Sequence, residues 1–360
     1  MNLFEPLRVG ALTLPNRIVM APLTRARAGR SHIANALIAE HYAQRAAAGL
    51  LIAEATMVSP TASAFTGEPG IYSDETVAGW KLVTDAVHAK GGRIVLQIWH
   101  PGRAAHSLLD AGVQPVSSTD RAIQGSQIST PEGKKDYETP RRLRDDEIPG
   151  IVEQFRVATR NAIAAGFDGV QIHGAHGYLI DQFLRDGVND REGPYGGSIA
   201  NRARLLLEVV DAAIEEAGAD RVSLRISPLV GFNDLQDSDP EALVTYVAAE
   251  LNKRQIAFLE LRHGDHRQPA EQAIAHVARQ HFKGVIMRNG GYDGDSAQVD
   301  LATGQADAIV FGKAFISNPD LVERLRTGAP LAAVNFDLLY TPGPAGYTDY
   351  PSLDSATNSA

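Results

Sequence analysis

Residues 166–178 read GFDGVQIHGAHGY, an apolar run that leads directly into two histidines and a tyrosine. The part at 169–175 is short, apolar and bounded by glycine, which predicts a strand buried on both faces. His173, His176 and Tyr178 cluster at its carboxyl end. A buried strand with polar side chains at one end is a unit that recurs along the chain.

Runs of this kind alternate with longer amphipathic segments. Strands are expected at 17–24, 50–59, 93–100, 169–175, 221–228, 257–263, 284–289 and 306–312. Apolar residues recur at helical spacing in the segments at 35–48, 74–90, 146–165, 199–217, 240–254 and 269–281. Eight strand–helix units predict an α/β fold, a closed (β/α)8 TIM barrel that forms a single domain over residues 1–350, with an N-terminal hairpin.

A doubly wound parallel sheet is the structural alternative. That fold usually carries a G-x-G-x-x-G fingerprint after its first strand, but here MAPLT stands at residues 20–24. The barrel is therefore the favoured architecture.

Two segments fall outside the regular alternation. Residues 101–144 follow the third strand, are polar and are broken by glycine and proline, so we expect a lid-like insertion over the barrel mouth. From Tyr340 the chain is rich in proline, glycine and tyrosine, so most of it should pack, with a flexible tail at 351–360.

Composition excludes several classes of function. The 360 residues carry 34 Lys+Arg against 43 Asp+Glu, a formal charge of −9, without a basic stripe among aromatic residues, so a nucleic-acid partner is disfavoured. The absence of cysteine excludes disulfides, thiolate nucleophiles and iron–sulfur ligands. No cationic leader precedes an apolar segment, and no apolar run approaches about 18 residues. We expect a cytoplasmic protein without membrane contact, present as a monomer or small homo-oligomer.

Polar residues stand at the carboxyl ends of the expected strands, where TIM barrels carry their chemistry. Late in the chain, Gly290, Gly291 and Gly312 follow the last two strands and precede helical segments. Glycines there allow backbone N–H groups to approach a phosphate, and Lys313 adds a positive charge. The alternative is that these glycines only form tight turns.

His173 and His176 are open to two interpretations. They could bind a metal ion, with Glu54 or His100 as a third ligand, since no cysteine is present. Alternatively, the two imidazoles could direct two N–H donors at one electron-rich oxygen.

Longer motifs extend this pattern over nearly the whole chain. They are LFEPLRVGALTLPNRIVMAPLTR at 3–25, QIWHPGR at 97–103, GFDGVQIHGAHGYLIDQFL at 166–184, YGGSIANRARLLLEVV at 195–210, FGKAFISNPDL at 311–321 and GYTDYPSL at 346–353. In this order and spacing the chain resembles the old yellow enzyme family of FMN-dependent ene-reductases, in particular bacterial reductases of N-ethylmaleimide and nitrate esters.

The resemblance implies a tightly bound, non-covalent FMN across the barrel mouth and NADPH, or NADH, as hydride donor. Its cofactor-binding residues would be Ala21, Pro22, Leu23, Thr24, Ala55, Gln97, Arg225, Asn289, Gly290, Gly291, Gly312 and Lys313. Arg225 would face the N1 and C2=O edge of the flavin, and Gly291, Gly312 and Lys313 would hold the phosphate.

The resemblance also implies the reaction. Hydride would pass from flavin N5 to the β-carbon of an activated alkene, such as an unsaturated carbonyl, a maleimide or a nitroalkene, in a ping-pong cycle; nitrate esters are a further substrate class. His173 and His176 would bind the activating oxygen, and Tyr178 would donate the proton. The substrate pocket would be formed by Phe65, Trp99, Arg262 and Tyr340.

The sequence departs from the family pattern at two positions. Lys313 stands where an arginine is usual, which keeps the charge but loses the planar fork. Phe65 stands where tyrosine or tryptophan is common. Two other classes of function stay open at this point: a metal-dependent barrel hydrolase using His173 and His176, and a flavin-binding redox sensor without catalysis.

Overall fold

A computed structural model of the protein describes residues 1–353, and its elements follow the predicted alternation. The strands are β1 (Leu7–Val9), β2 (Leu12–Leu14), β3 (Ile18–Met20), β4 (Leu50–Met57), β5 (Ile94–Trp99), β6 (Val116–Ser117), β7 (Gln127–Thr130), β8 (Gly133–Asp136), β9 (Arg141–Arg142), β10 (Val170–Gly174), β11 (Val222–Ile226), β12 (Phe258–Arg262), β13 (Val285–Asn289) and β14 (Ala308–Phe311). The helices are α1 (Ala36–Gln44), α2 (Asp74–Ala89), α3 (Ile148–Ala164), α4 (Leu179–Leu184), α5 (Ile199–Arg202), α6 (Arg204–Ala217), α7 (Pro240–Arg254), α8 (Pro269–His281), α9 (Gly294–Ala302), α10 (Lys313–Ser317) and α11 (Leu321–Thr327).

A closed barrel of parallel strands forms the centre of the molecule. Its order is β3, β4, β5, β10, β11, β12, β13 and β14, and β14 pairs with β3 to complete the ring. The predicted (β/α)8 TIM barrel is therefore confirmed. The barrel strands are shorter than their predicted ranges, and β3 differs most, since it ends at Met20 rather than near residue 24. Pro22 has no N–H for the strand ladder, so the chain leaves the sheet there.

Alternate side chains of each strand point into the barrel. The interior towards the amino ends of the strands is apolar and includes Val19, Val95 and Met287. The hairpin β1–β2, which was predicted, closes this end with Val9 and Leu14. Because the side-chain period is two residues, Gln97 lies one layer above Val95, and Asn289 one layer above Met287. The interior thus changes from apolar to polar towards the carboxyl ends of the strands.

The insertion at 101–144 contains more structure than the sequence indicated. It contains the parallel pair β6–β9 and the antiparallel hairpin β7–β8, whose residue Ile128 packs in one apolar cluster with Ala55, Met57 and Trp99. Those partners belong to β4 and β5, so the hairpin covers the barrel mouth. A movement of this insertion as a lid stays a prediction.

The C-terminal segment packs against the loop that follows β3. Arg27 donates to the carbonyls of Leu338, Leu339 and Ala345, and Tyr347 is fully buried. Of the predicted flexible tail at 351–360, residues 354–360 lie outside the described residues. No helix within residues 1–353 is long and apolar enough to cross a membrane.

Candidate active site

Two neighbouring cavities open at the carboxyl ends of the barrel strands. The larger, about 470 Å³, is lined by the strand ends of β11 to β14 and by the loop after β3. The smaller, about 280 Å³, has five aromatic residues in its lining, among them Phe65, Tyr178 and Tyr340, and is called the aromatic cavity below. His176 borders the first, and Tyr178, only two residues later, borders the second. The turn at residues 176–178 therefore places one side chain at each cavity.

The larger cavity is built to receive an anion. Arg225, Arg262 and Lys313 line it, and no carboxylate does among the described residues. The Nη1 atom of Arg262 is buried without a hydrogen-bond partner in the described part of the chain. A buried unpaired donor is costly, so a ligand acceptor is the natural partner for it.

Backbone geometry at the strand ends leaves room for a phosphate. Gly290 and Gly291 have φ values of 130° and 78°, a region that favours glycine. A Cβ on Gly290 would lie 2.3 Å from the carbonyl oxygen of His263, so no larger residue fits there. Gly312 lies directly before α10, where Lys313 is the first residue of the helix. The glycines border a cationic cavity, and a phosphate site here stays a prediction.

FMN fits this set of residues. Its phosphate would find Gly291, Gly312 and Lys313, and its ring system would find the loop Ala21–Leu23 and Arg225, all of which line one cavity. Three other residues implied as cofactor contacts lie outside that lining. Thr24 follows Leu23 in the loop and is half-buried, Ala55 packs beside Trp99, and Gln97 is buried in the barrel interior.

The turn after β10 holds the two histidines in a fixed arrangement. His176 has φ 58° and Gly177 has φ 73°, so the chain turns through two consecutive left-handed residues. For a residue other than glycine this conformation costs about 1–2 kcal/mol. Hydrogen bonds compensate: the His176 N–H donates to Ser227 Oγ at 2.8 Å, and Asn233 Nδ2 donates to the His176 carbonyl at 2.9 Å. The imidazoles end with ring centroids 5.6 Å apart.

Both imidazoles are held in the neutral state. Burial, followed by the nearby Arg225 guanidinium, lowers the pKa of His173 well below its ordinary value. The pKa of His176 is lowered in the same way, with further contributions from His173 and Arg262. The Ala175 N–H donates to His173 Nδ1 at 3.3 Å, which places the His173 proton on Nε2. His173 therefore offers one N–H donor of defined position.

Tyr178 stands in an aromatic wall. Its ring makes edge contacts with His173 and Trp99, each at 5.1 Å between centroids, and Phe65 stacks on Tyr340 at 5.8 Å. Burial is the main cause that raises the pKa of the Tyr178 hydroxyl above its ordinary value. Tyr178 is therefore a neutral O–H donor across the physiological pH range.

The structure adds lining residues that sequence reasoning missed. Phe232 and Tyr137 border the aromatic cavity, and Phe232 also contacts the His176 ring edge-on at 6.3 Å. Phe232 could have been found, because it lies in the loop after the fifth barrel strand, where site residues are expected. Tyr137 carried no such signal, because it follows the hairpin of the insertion rather than a barrel strand.

The metal interpretation of His173 and His176 lacks a ligand set. The described residues include no group of three or more His, Cys, Asp or Glu side chains that could hold a metal ion. Glu54, the carboxylate considered as a third ligand, instead accepts the Arg25 backbone N–H at 3.0 Å. That the two imidazoles act as donors to one oxygen stays a prediction.

Comparison with known proteins identifies the family of the chain. Residues 2–332 match the family described as NADH:flavin oxidoreductase / NADH oxidase. A probable flavin mononucleotide-dependent alkene reductase from Leishmania infantum is 47% identical, covering 98% of this chain and 97% of the relative.

Solved structures show the same likeness. Morphinone reductase in complex with tetrahydroNAD superposes with a TM-score of 0.95 at 46% identity, covering 99% of both chains. An old yellow enzyme homologue from Zymomonas mobilis gives a TM-score of 0.94 at 44% identity, covering 98% of this chain and 99% of that one. The chain belongs to the NADH:flavin oxidoreductase / NADH oxidase family, as a member of its old yellow enzyme group of FMN-dependent alkene reductases.

Proposed function

We propose that this protein is an NADPH- or NADH-dependent ene-reductase that saturates the C=C bond of activated alkenes in a ping-pong cycle. The substrates would be α,β-unsaturated carbonyls, maleimides and nitroalkenes, with nitrate esters as a further class. The observation that carries the proposal is the cluster of His176, which lines the cationic cavity, Tyr178, which lines the aromatic one, and His173, whose ring contacts both. When bound, FMN supplies the hydride chemistry of both half-reactions.

His173 and His176 would bind the oxygen that activates the alkene. As hydride reaches the β-carbon, negative charge develops on that oxygen, and N–H donors fixed in advance stabilise it. His173 would offer its Nε2 proton as one such donor. The left-handed turn would hold His176 in place as the other, so neither ring would have to move. The two imidazoles would therefore contribute more to the transition state than to substrate binding.

Tyr178 would donate the proton to the α-carbon. The raised pKa keeps its O–H intact, and the edge contact with His173 keeps it beside the site where the activating oxygen would bind. Hydride at one carbon and a proton at the other complete the reduction of the double bond.

Phe65, Trp99, Tyr340 and Arg262 would shape the substrate side of the site. Phe65, Trp99 and Tyr340 form one run of ring contacts, and Arg262 borders the cationic cavity beside His176. The nicotinamide would enter the same space as the alkene. Morphinone reductase, solved with tetrahydroNAD at 46% identity, supports a nicotinamide-binding site in this fold. The cytoplasm, where both dinucleotides are available, is the expected compartment.

The rate of alkene reduction should lack an ionisation near pH 6.5. An ordinary histidine loses its charge there. Because burial lowers the pKa of both His173 and His176, the two imidazoles are already neutral above that pH and stay neutral below it. The rate constant of the alkene half-reaction, measured by stopped flow between about pH 5 and pH 9, should vary by less than about threefold. A tenfold step centred near pH 6.5 would contradict the buried, neutral pair.

The proposal is tested by following the two half-reactions separately in the visible spectrum of the protein. NADPH or NADH should bleach the flavin band, and an activated alkene should restore it.

A further inference from the structure

Five polar side chains form one continuous network through the barrel interior. Gln97 Nε2 donates to Gln171 Oε1 at 2.8 Å, and Gln171 Nε2 donates to Glu260 Oε2 at 2.8 Å. Glu260 Oε1 forms an ion pair with Arg225 Nε at 2.9 Å. Arg225 Nη2 donates to Asn289 Oδ1 at 3.1 Å. Gln171 on β10 and Glu260 on β12 are both fully buried. Because these two strands are not neighbours in the sheet, the network crosses the barrel interior.

Glu260 determines which group donates and which accepts in the hydrogen bonds of Gln171 and Gln97. A carboxylate paired with an arginine offers acceptors only, so Gln171 has to turn its Nε2 towards it. The Oε1 of Gln171 is then left to accept, so Gln97 has to donate its own Nε2. This leaves Oε1 of Gln97 as the acceptor end of that amide.

Glu260 also orients the other part of the network, Arg225 and Asn289, through its ion pair with Arg225. The Glu260 carboxylate lies at the Nε edge of Arg225, and together with Asn289, which accepts from Nη2, it fixes the guanidinium that lines the larger cavity. The same carboxylate balances the positive charge of Arg225 within the barrel, where a lone charge is costly.

We propose that Glu260 is a positioning residue that presets both contacts to the flavin ring, making Gln97 a hydrogen-bond acceptor and Arg225 a hydrogen-bond donor. The pyrimidine edge of FMN carries an N3–H donor between two carbonyl acceptors, so one acceptor and one donor from the protein match it. This inference rests on the proposed function, because it takes FMN as the ligand. It assigns a role to Glu260 and Gln171, two mid-strand residues that do not line the larger cavity.

The test is Glu260→Gln in the full chain, with the dissociation constants of oxidised and reduced FMN as readouts. A neutral amide can present either a donor or an acceptor to Gln171, so the orientation of Gln97 is no longer fixed. The uncompensated charge of Arg225 meanwhile favours the anionic reduced flavin. The dissociation constant of oxidised FMN should rise at least about tenfold more than that of reduced FMN, a positive shift of about 30 mV in the two-electron midpoint potential.

The double variant Gln171→Glu/Glu260→Gln is the matched control. It keeps one carboxylate in the interior and still forces Gln97 to donate, because residue 171 then offers acceptors only. Oxidised FMN should bind to it at least about threefold more tightly than to Glu260→Gln. If Glu260→Gln does not fold, the double variant is compared with wild type instead, and binding within about tenfold supports the inference.

The outcomes separate this inference from the proposed function. If wild type binds FMN and reduces alkenes but Glu260→Gln leaves both dissociation constants unchanged, Glu260 only fills the interior and the inference is wrong. A folded double variant that binds FMN no better than Glu260→Gln would also overturn it. If wild type binds no FMN, the proposed function fails first.

Discussion

Replacing Tyr178 with phenylalanine is expected to slow the alkene half-reaction by about 10²–10⁴-fold, the usual contribution of a positioned general acid. The change removes one oxygen atom and leaves the edge contacts with His173 and Trp99 available. Reduction of the bound flavin by NADPH or NADH should change by less than about threefold, since the hydroxyl donates no proton in that step. Stopped-flow measurement of each half-reaction separates the two effects.

Tyr72→Phe is the matched control for this experiment. Tyr72 packs against the same apolar cluster, together with Tyr178, but it does not line either cavity. Its hydroxyl should therefore be dispensable for both half-reactions. Equal losses in the two variants, or a Tyr178→Phe enzyme that reduces alkenes at the wild-type rate, would remove Tyr178 from the role of proton donor.

His173→Ala should lower the rate constant of the alkene half-reaction by about 10²–10³-fold, the typical effect of losing one donor to a developing oxyanion. Reduction of the flavin by the dinucleotide should fall less, because no comparable charge develops on the amide oxygen of a nicotinamide. The loss should appear in the rate constant at saturating alkene rather than in substrate affinity alone.

His173→Gln tests whether the N–H donor itself is responsible. The Ala175 N–H occupies Nδ1 of His173, so Nε2 carries the proton, and a glutamine side chain places an N–H close to that atom. Glutamine should therefore recover at least about tenfold of the activity that alanine loses. If both variants are equally slow while their FMN content matches wild type, the ring rather than its N–H is what the reaction requires.

The sequence allowed most of the barrel to be predicted, because each of its strands is a short apolar run with helical spacing on either side. The helices α7 (Pro240–Arg254) and α8 (Pro269–His281) agree with the predicted segments to the residue. The end of β3 was wrong by several residues, since the pattern stays apolar through Ala21–Leu23 although Pro22 cannot join the ladder. The hairpin β7–β8 was not predicted, because its sequence alternates only weakly.

Site residues at strand ends could be predicted from their place in the barrel, whereas Gln97 within β5 came as a cofactor contact only from the family resemblance and Gln171 and Glu260 were not predicted. His173, Arg225 and Lys313 stand where a barrel places its chemistry. Arg225 and Lys313 line the larger cavity, and the His173 ring contacts His176, which lines it as well. Gln171 and Glu260 lie within apolar runs, and nothing in those runs indicates that they meet across the barrel. That contact depends on the register of two strands that are not neighbours, which local sequence patterns do not encode.

The central claim is that this chain binds FMN and cycles it between a nicotinamide dinucleotide and an activated alkene. The most direct measurement is the visible spectrum of the FMN-loaded protein under exclusion of oxygen, with NADPH or NADH added first and N-ethylmaleimide or 2-cyclohexenone second. We expect the flavin band to bleach with the dinucleotide and to return with the alkene, with one alkene consumed per flavin. A protein that FMN cannot load, or a bleached flavin that neither alkene reoxidises, would contradict it.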